Sequence, residues 1–335
     1  MDKELQKYIS EIPGLNHNSD YSKLTMDIPS VGELEDGRVT MVVLMPGVYV
    51  MDIDIRSNAI PKVLENMGGK SEIGLLVNCC FEGRCEFVMN TGEYTYLSCN
   101  EISFGTGRSD SSFSYPSADY KGIEICIMKD ALRNCELELC GYRFLAPKTM
   151  AKLSQADNVN TIVKVGDSIM RAAYGIHQEI QREEGDMPAN TRGMLLLNVM
   201  EFFEMLARKD YKVEQTRTYF TKGQVQIAQE TRKKILSDLS VRQSAKELAA
   251  DFGISETSLK NYFKSVYGIG FLDFQEKIRN EKAEELLSTT DMGILAISQA
   301  VGFSTQSHFS AFFKKIHGYS PLEYRRRVKL KNYKS

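Results

Sequence analysis

Between Arg38 and Lys129 apolar side chains recur at nearly every second position, the period of a half-buried strand. Val39 to Leu44, Val48 to Ile55, Ile73 to Asn78, Cys85 to Met89, Tyr94 to Leu97 and Gly122 to Met128 are the predicted strands. Pro46-Gly47, Glu82-Gly83, Asn90-Thr91-Gly92 and Gly105-Thr106-Gly107 fall between them as turns. Many short strands at this spacing predict an antiparallel β-barrel or jelly roll, cupin-like in plan, with an interior suited to a small molecule. From Asn158 the period lengthens to that of a helix. Asn158 to Arg182 buries Ile162, Val165, Ile169, Ala172 and Ile176, and Thr191 to Arg208 buries Met194, Leu197, Met200, Phe203 and Leu206. Glu183 to Pro188 breaks the two apart. Faces this apolar need a partner, either the barrel's flank or the matching helix of a second copy. Lys209 to Thr218 is polar and charged, and is the expected linker.

In the last hundred residues one pattern is written twice. Leu248-Ala249-Ala250-Asp251-Phe252-Gly253-Ile254-Ser255 is followed by Leu259 to Lys264 and closes on Tyr267-Gly268. Ile297-Ser298-Gln299-Ala300-Val301-Gly302-Phe303-Ser304 is followed by Phe309 to Lys314 and closes on His317-Gly318. Gly253 pairs with Gly302 at an offset of 49, while Phe263 with Phe313, Gly268 with Gly318 and Leu272 with Leu322 pair at 50, so the second copy has gained one residue. Each copy reads as helix, tight turn, helix: Gly253 supplies the left-handed turn and Ser255 can cap the second helix. That second helix, in the first copy, buries Leu259, Tyr262, Phe263 and Val266. Its other face carries Glu256, Thr257, Ser258, Lys260, Asn261 and Lys264. Amides and hydroxyls pair with base edges and lysines with phosphates, so a helix pair exposing such a row suits the DNA major groove.

The charge distribution agrees. The chain of 335 residues has 42 Lys and Arg against 44 Asp and Glu, yet from Thr221 onward the counts are 19 against 12, and before it 23 against 32. A basic end on an acidic body fits one DNA-facing domain beside one that avoids DNA. Seven cysteines lie between Cys79 and Cys140, at 79, 80, 85, 99, 126, 135 and 140, with no Cys-x-x-Cys pair. Cys126 sits in the alternation Ile123-Glu124-Ile125-Cys126-Ile127, so burial as small apolar groups is the favoured reading over a thiol sensor. The strand region contains none of the four histidines, so a His-rich catalytic metal site cannot be assembled there. No Gly-x-Ser-x-Gly elbow, phosphate-binding loop or dinucleotide fingerprint is present. No enzyme activity, catalytic residue, metal ligand or cofactor is expected. Met1-Asp2-Lys3-Glu4 leads into no apolar core segment, and the longest apolar runs are too short to cross a bilayer, so a cytoplasmic protein is expected.

The run Gly302 to Arg327, with its Gly-Phe, Ser-His-Phe, Phe-Lys-Lys and Gly-Tyr-Ser-Pro-x-x-Tyr-Arg elements, resembles the second helix-turn-helix of AraC/XylS-type transcription regulators. Ser244 to Gly268 resembles the first. The resemblance implies one linking helix, Phe271 to Ser288, with Phe274, Ile278, Leu286 and Leu287 inward. It also implies two recognition helices entering successive major grooves about 34 Å apart. Carried over position by position, it makes Thr257, Ser258, Lys260, Asn261, Gln306, Ser307, His308 and Ser310 the base-reading candidates, and Lys264, Lys314 and Lys315 the phosphate anchors. Many members have Arg where this chain has Ala311, so sequence reading by the second unit is expected either to be weak or to rest on Gln306 and His308; His308 is alternatively a helix cap or a locally packed residue. Leu75 to Leu97 and Tyr219-Phe220-Thr221-Lys222 are similar to a subgroup of pyochelin-type siderophore regulators, which implies an effector such as a metal chelate or haem, with Arg84, Glu86, Tyr94 and Tyr96 as candidate contacts, although a surface charge or a barrel-packing aromatic is the favoured reading of each.

The expected architecture is α+β and multidomain: a β-barrel effector domain over 1–150, a helical dimerisation region and linker over 151–220, and an all-α double helix-turn-helix over 221–335. The expected function is an effector-responsive activator that binds promoter DNA as a homodimer and engages RNA polymerase. The competing reading is a carbohydrate- or metabolite-binding protein whose helical tail only mediates assembly.

Overall fold

The computed structural model of the chain describes residues 15–28, 37–55, 73–89, 91–105, 113–117, 119–134, 138–139, 142–143, 161–182, 187–208, 211–212 and 218–332. They divide into two compact units, Met1–Thr221 and Lys222–Ser335.

In the first unit the Val/Ile/Cys-rich alternation produces an antiparallel sheet. Its strands are β1 (Leu15–His17), β2 (Lys23–Ile28), β3 (Gly37–Met45), β4 (Val48–Ile55), β5 (Ile73–Val88), β6 (Tyr94–Ser98), β7 (Glu101–Gly105), β8 (Phe113–Ser114), β9 (Tyr120–Met128), β12 (Thr161–Val165) and β13 (Tyr211–Lys212); β10 (Glu138–Leu139) and β11 (Tyr142–Arg143) pair separately. The path is β1-β2-β3-β4-β9-β5-β7-β12-β13, with β6 and β8 on the far end of β5. Both faces of the sheet are buried. On one, Val42, Val50, Leu75, Val77, Ile123 and Ile125 meet two helices, α2 (Asp167–Arg182) and α3 (Ala189–Ala207), through Ile169, Ala173, Ile176, Leu195, Val199, Phe202 and Phe203. On the other, Met26, Ile28, Val39, Ile53, Ile55, Cys80, Cys85, Phe87, Leu97, Tyr115, Tyr120 and Ile162 form a second cluster. A short helix, α1 (Lys129–Asn134), follows β9.

Several expectations shift. Ile73 to Asn78 and Cys85 to Met89 are one strand, and Glu82-Gly83 is an irregularity inside it rather than a turn. Gly83 is required there: its φ is +74° and a Cβ would lie 1.7 Å from the Asp119 carbonyl oxygen. Thr161–Val165 is a strand paired with β7, and the helix begins only at Asp167, so Ile162 and Val165 belong to the sheet; β-branched Ile and Val at alternate positions suit either assignment. In α3 the buried stripe is Leu195, Val199, Phe202, Phe203 and Leu206, whereas Met194 and Leu197 are about half exposed. A helix apolar nearly all round does not reveal its buried face by periodicity. Within the expected linker, Tyr211–Lys212 adds to β12 as a strand. The helices pack on the sheet's flank, anchored by buried Asp52, whose carboxylate pairs with His177 Nδ1 at 2.6 Å and accepts a hydrogen bond from Gln181 one turn later. Cys135 and Cys140 lie outside the described residues, as do most of the expected linker and the Glu183–Asp186 part of the expected break.

The second unit is all helical: α4 (Lys222–Ser237), α5 (Ala245–Asp251), α6 (Glu256–Tyr267), α7 (Phe271–Thr289), α8 (Ile294–Ala300), α9 (Gln306–His317) and α10 (Pro321–Asn332). Among the described residues no helix is long and apolar enough to cross a membrane.

Candidate nucleic-acid interface

The two helix pairs are built by the same local rules. In α5–α6, the Ser244 hydroxyl accepts from the Glu247 amide, Gly253 turns the chain at φ +65°, Ser255 caps α6 by accepting from the Ser258 amide at 3.1 Å, and Gly268 closes it in the left-handed region. In α8–α9, Gly302 turns the chain at φ +78°, Thr305 caps α9 by accepting from the His308 amide at 3.3 Å, and Gly318 closes it. The caps are 50 apart and the turn glycines 49, so the inserted residue lies between Gly302 and Thr305. Thus the backbone N–H of His308 is capped by Thr305, while the His308 side chain is exposed.

Each second helix is pinned by a buried phenylalanine. Phe263 packs against Tyr267, Phe271 and Phe274 at ring distances of 4.8, 5.8 and 5.2 Å. Phe313 packs against His317 and Tyr324 at 4.1 and 5.3 Å. Leu259 and Val266 share the first core, and Phe309 with Ile297 and Val301 the second. Tyr267 is buried where Tyr262 was expected; Tyr262 is half-buried, and its hydroxyl accepts a hydrogen bond from Gln224 of α4.

With the apolar faces turned inward, the predicted polar positions come out on the opposite side. Thr257, Asn261 and Lys264 are exposed on α6, with Ser258 and Lys260 partly so; Gln306, Ser307, His308, Lys314 and Lys315 are exposed on α9, and Ser310 is partly so. Lys260 is engaged with Glu256 at 2.5 Å, one turn earlier. Ser258 is tied to the cap, its hydroxyl 2.8 Å from that of Ser255. Ala311 is exposed between Ser307 and Lys314, leaving the middle of the second face without a long side chain.

The linking helix departs from expectation. Ile278 and Leu286 are only partly buried, whereas Gln275, Arg279, Asn280 and Ala283 are buried beside Phe271, Phe274 and Leu287. The reason is that α7 is packed on more than one side, and its polar groups bridge the two helix pairs. Arg279 donates to the Val241 carbonyl at 2.9 Å and Gln275 to that of Gln243 at 3.0 Å, while a Cβ on Gly302 would lie 2.7 Å from the Leu239 carbonyl oxygen and 2.9 Å from Arg279 Nη2. Burial lowers the Arg279 pKa from its ordinary value. At the other end His317 meets Asn280 at 3.0 Å and Glu284 at 3.1 Å. The two helix pairs are therefore joined through α7. Sequence reasoning also passed over Arg326 and Arg327, both exposed on α10, the latter 4.4 Å from the Tyr319 ring; the signal was the run Arg325-Arg326-Arg327.

In the first unit, Arg84, Glu86 and Tyr96 come together: Tyr96 donates to buried Glu86 at 2.7 Å, Ser114 donates to it at 2.9 Å, and Arg84 lies 6.0 Å from the Tyr96 ring. Tyr94 instead exchanges two backbone hydrogen bonds with Phe220, at 2.8 and 2.9 Å. A separate cavity of about 490 Å³ is lined by Asp27, Gly37, Arg38, Asp54, Lys121, His177 and Gln181. None of the four expected contacts lines it.

Residues 248–327 match the helix-turn-helix domain family. The C-terminal unit is an AraC/XylS-type DNA-binding domain. It is 42% identical over 72 residues to the arabinose operon regulatory protein of Escherichia coli strain K12, a match covering 22% of this chain and 25% of that protein. It is 39% identical over 75 residues to the HTH-type transcriptional regulator GlxA of Rhizobium meliloti, covering 22% and 23%. Among solved structures it is similar to the C-terminal domain of AraT, a response regulator from Geobacillus stearothermophilus, at 37% identity and a TM-score of 0.29, covering 30% of this chain and 84% of that one. The chain thus spans about a quarter of the length of the curated relatives it matches.

Proposed function

We propose that the protein is a transcription regulator that reads two successive major-groove segments of promoter DNA with α6 and α9. The observation that carries this is the pair of capped helices with buried Phe263 and Phe313 on one side and hydrogen-bonding and cationic side chains on the other. Thr257, Asn261, Gln306, Ser307 and His308 are the base contacts, with Ser258, Lys260 and Ser310 at the margins. Lys264, Lys314 and Lys315 are the phosphate anchors. In this reading the first unit binds a small effector and the chain works as a homodimeric activator in contact with RNA polymerase. The cavity beside α2 is lined by polar and charged groups, with Arg38 paired to Asp27 and Lys121 to Asp54. Such a lining favours a polar effector over a flat apolar one such as haem, which would strip these groups of water. The effector acts through differential affinity for two arrangements of the protein, and a coupling of about 1–3 kcal/mol is enough for a useful switch.

The test is the salt dependence of double-stranded DNA binding by the full chain. Each phosphate contact lowers log K by about 0.9 per unit of log salt, so a steep slope is expected, and Lys260→Ala with Asn261→Ala should weaken specific binding while leaving the melting curve unchanged. A flat slope would favour the competing assignment as a metabolite-binding protein with an assembly tail.

A further inference from the structure

Five cysteines of the first unit are described, and four are buried: Cys79, Cys80, Cys85 and Cys126. Cys99 is exposed. It sits in the tight turn between β6 and β7, where Asn100 adopts φ +64° and the Ser98 amide donates to Glu101 at 2.8 Å. Strand register decides what Cys99 faces. β5 pairs with β7 up to Cys79 opposite Ile102 and with β6 from Arg84 opposite Ser98, so the turn stands against the irregular stretch Cys80 to Gly83. There the Cys99 thiol donates to the Phe81 carbonyl, and the Cys80 thiol lies 3.5 and 3.6 Å from the carbonyls of Glu82 and Gly83. Both thiols are thus held on three successive carbonyls, Phe81 to Gly83, which brings Cys80 and Cys99 to one side of this stretch. Adjacent Cys79 belongs to the opposite face of the sheet, in the cluster that holds α2 and α3.

We propose that Cys99 and Cys80 are an oxidation site for hydroperoxides, closing to a reversible disulfide. The Cys99 thiolate attacks the peroxide oxygen, the O–O bond breaks, and Cys99 becomes a sulfenic acid, while the departing hydroxide takes back from solvent the proton that the Cys99 thiol lost on ionising and leaves as water. The Cys80 thiol then attacks the Cys99 sulfur, the S–O bond breaks, and the departing hydroxide takes the Cys80 proton as a second water. Two thiols are oxidised by two electrons and one peroxide is reduced; a dithiol reductant reverses the change.

The division of labour follows from the surroundings. The hydrogen bond from Cys80 holds the Cys99 thiol down to about 7, assisted by Arg84 and opposed by burial and Glu82. The same bond, with burial and the nearby Cys99, Cys85 and Glu101, pushes Cys80 well up. Cys99 is thus the exposed attacking group and Cys80 the protonated resolving one. The site lies at the turn ending β6, the strand whose other end holds Phe220, two residues before the DNA-binding unit begins. It is independent of whether that unit reads DNA.

The test is mass spectrometry of the full chain after hydrogen peroxide and blocking of free thiols. The expected result is loss of two hydrogens, restored by a dithiol reductant. Cys80→Ser and Cys99→Ser each abolish it, and Cys79→Ala and Cys85→Ala each retain it. Cys80→Ser should also leave a dimedone-reactive sulfenic acid at Cys99. In the reduced protein, alkylation of Cys99 should rise with pH through about 7, and Cys80→Ala should move that midpoint up toward the ordinary thiol value of about 8.5. A linkage that survives Cys80→Ser, or Cys99 passing to sulfinic acid with no linkage, would overturn the proposal. Both outcomes can be read whatever the variants do to DNA binding.

Discussion

The two helix-turn-helix units share a skeleton and, Lys264 and Lys314 apart, differ in most of what that skeleton leaves outside. Ser255 and Thr305, Phe263 and Phe313, and Gly268 and Gly318 occupy equivalent places at an offset of 50, and the likeness runs on into the next helix. There Phe271 and Pro321 begin α7 and α10, and Phe274 and Tyr324 cover the buried phenylalanines. The exposed faces diverge. On α6, Glu256 stands in the first turn and engages Lys260; α9 has no acid there and carries Lys314, Lys315 and His317 in its last turn. The comparison teaches that packing fixes the frame twice over, while the first unit is left with a balanced, hydrogen-bonding face and the second with a cationic one whose centre, Ala311, is bare.

Breaking the shared frame should have the largest effect. Phe263→Ala and Phe313→Ala are each expected to cost about 3–5 kcal/mol in chemical denaturation, by loss of burial and creation of a cavity. If one were nearly neutral, the two cores would not be equivalent. The turn glycines separate the units more finely. Both have positive φ, so alanine costs about 1–2 kcal/mol at either. Nothing lies within 4 Å of a Cβ at Gly253, however, whereas at Gly302 it would meet the Leu239 carbonyl at 2.7 Å. Gly302→Ala should therefore lower the melting temperature clearly more than Gly253→Ala, and equal shifts would contradict the packing described at Arg279. The caps come next: Ser255→Ala and Thr305→Ala should each cost about 1 kcal/mol.

The smallest effects on stability fall on the exposed faces, where the readout is binding. Lys314→Ala with Lys315→Ala should leave the fold intact and reduce the salt slope by about 1.8, two contacts' worth. Lys264→Ala should reduce it by about half as much. Ala311→Arg should raise affinity for sites with a guanine opposite that position, since Arg pairs with both acceptors on its major-groove edge. No gain on any sequence would place Ala311 away from the bases.

Sequence reasoning read the second unit well because its signals are local. Glycines at positive φ, hydroxyl caps and apolar spacings of three and four each act within one turn of chain. It read α7 less well because Gln275, Arg279 and Asn280 are buried by contacts more than thirty residues away, with Gln243, Val241 and His317. In the first unit the alternating strands β3, β4, β6 and β9 were legible. Thr161–Val165 was absorbed into a helix, and β5 was cut in two, because Glu82-Gly83 has the composition of a turn while its geometry is set by the neighbouring Asp119 and Tyr120. Arg84, Glu86 and Tyr96 do lie together, since register places Glu86 opposite Tyr96, but the charged cavity lies elsewhere on side chains from β2, β3, β4, β9 and α2. No local pattern announces a cavity whose walls come from five elements.

The most direct test of the central claim is selection of double-stranded DNA from a random pool by the full chain, with hydroxyl-radical footprinting of the enriched sequence. Two protected patches on one face of the duplex, about one helical turn or ~34 Å apart, are expected. Lys314→Ala with Lys315→Ala should weaken one patch and spare the other. Failure to enrich any sequence, or a single patch unaffected by substitutions on α9, would contradict the account.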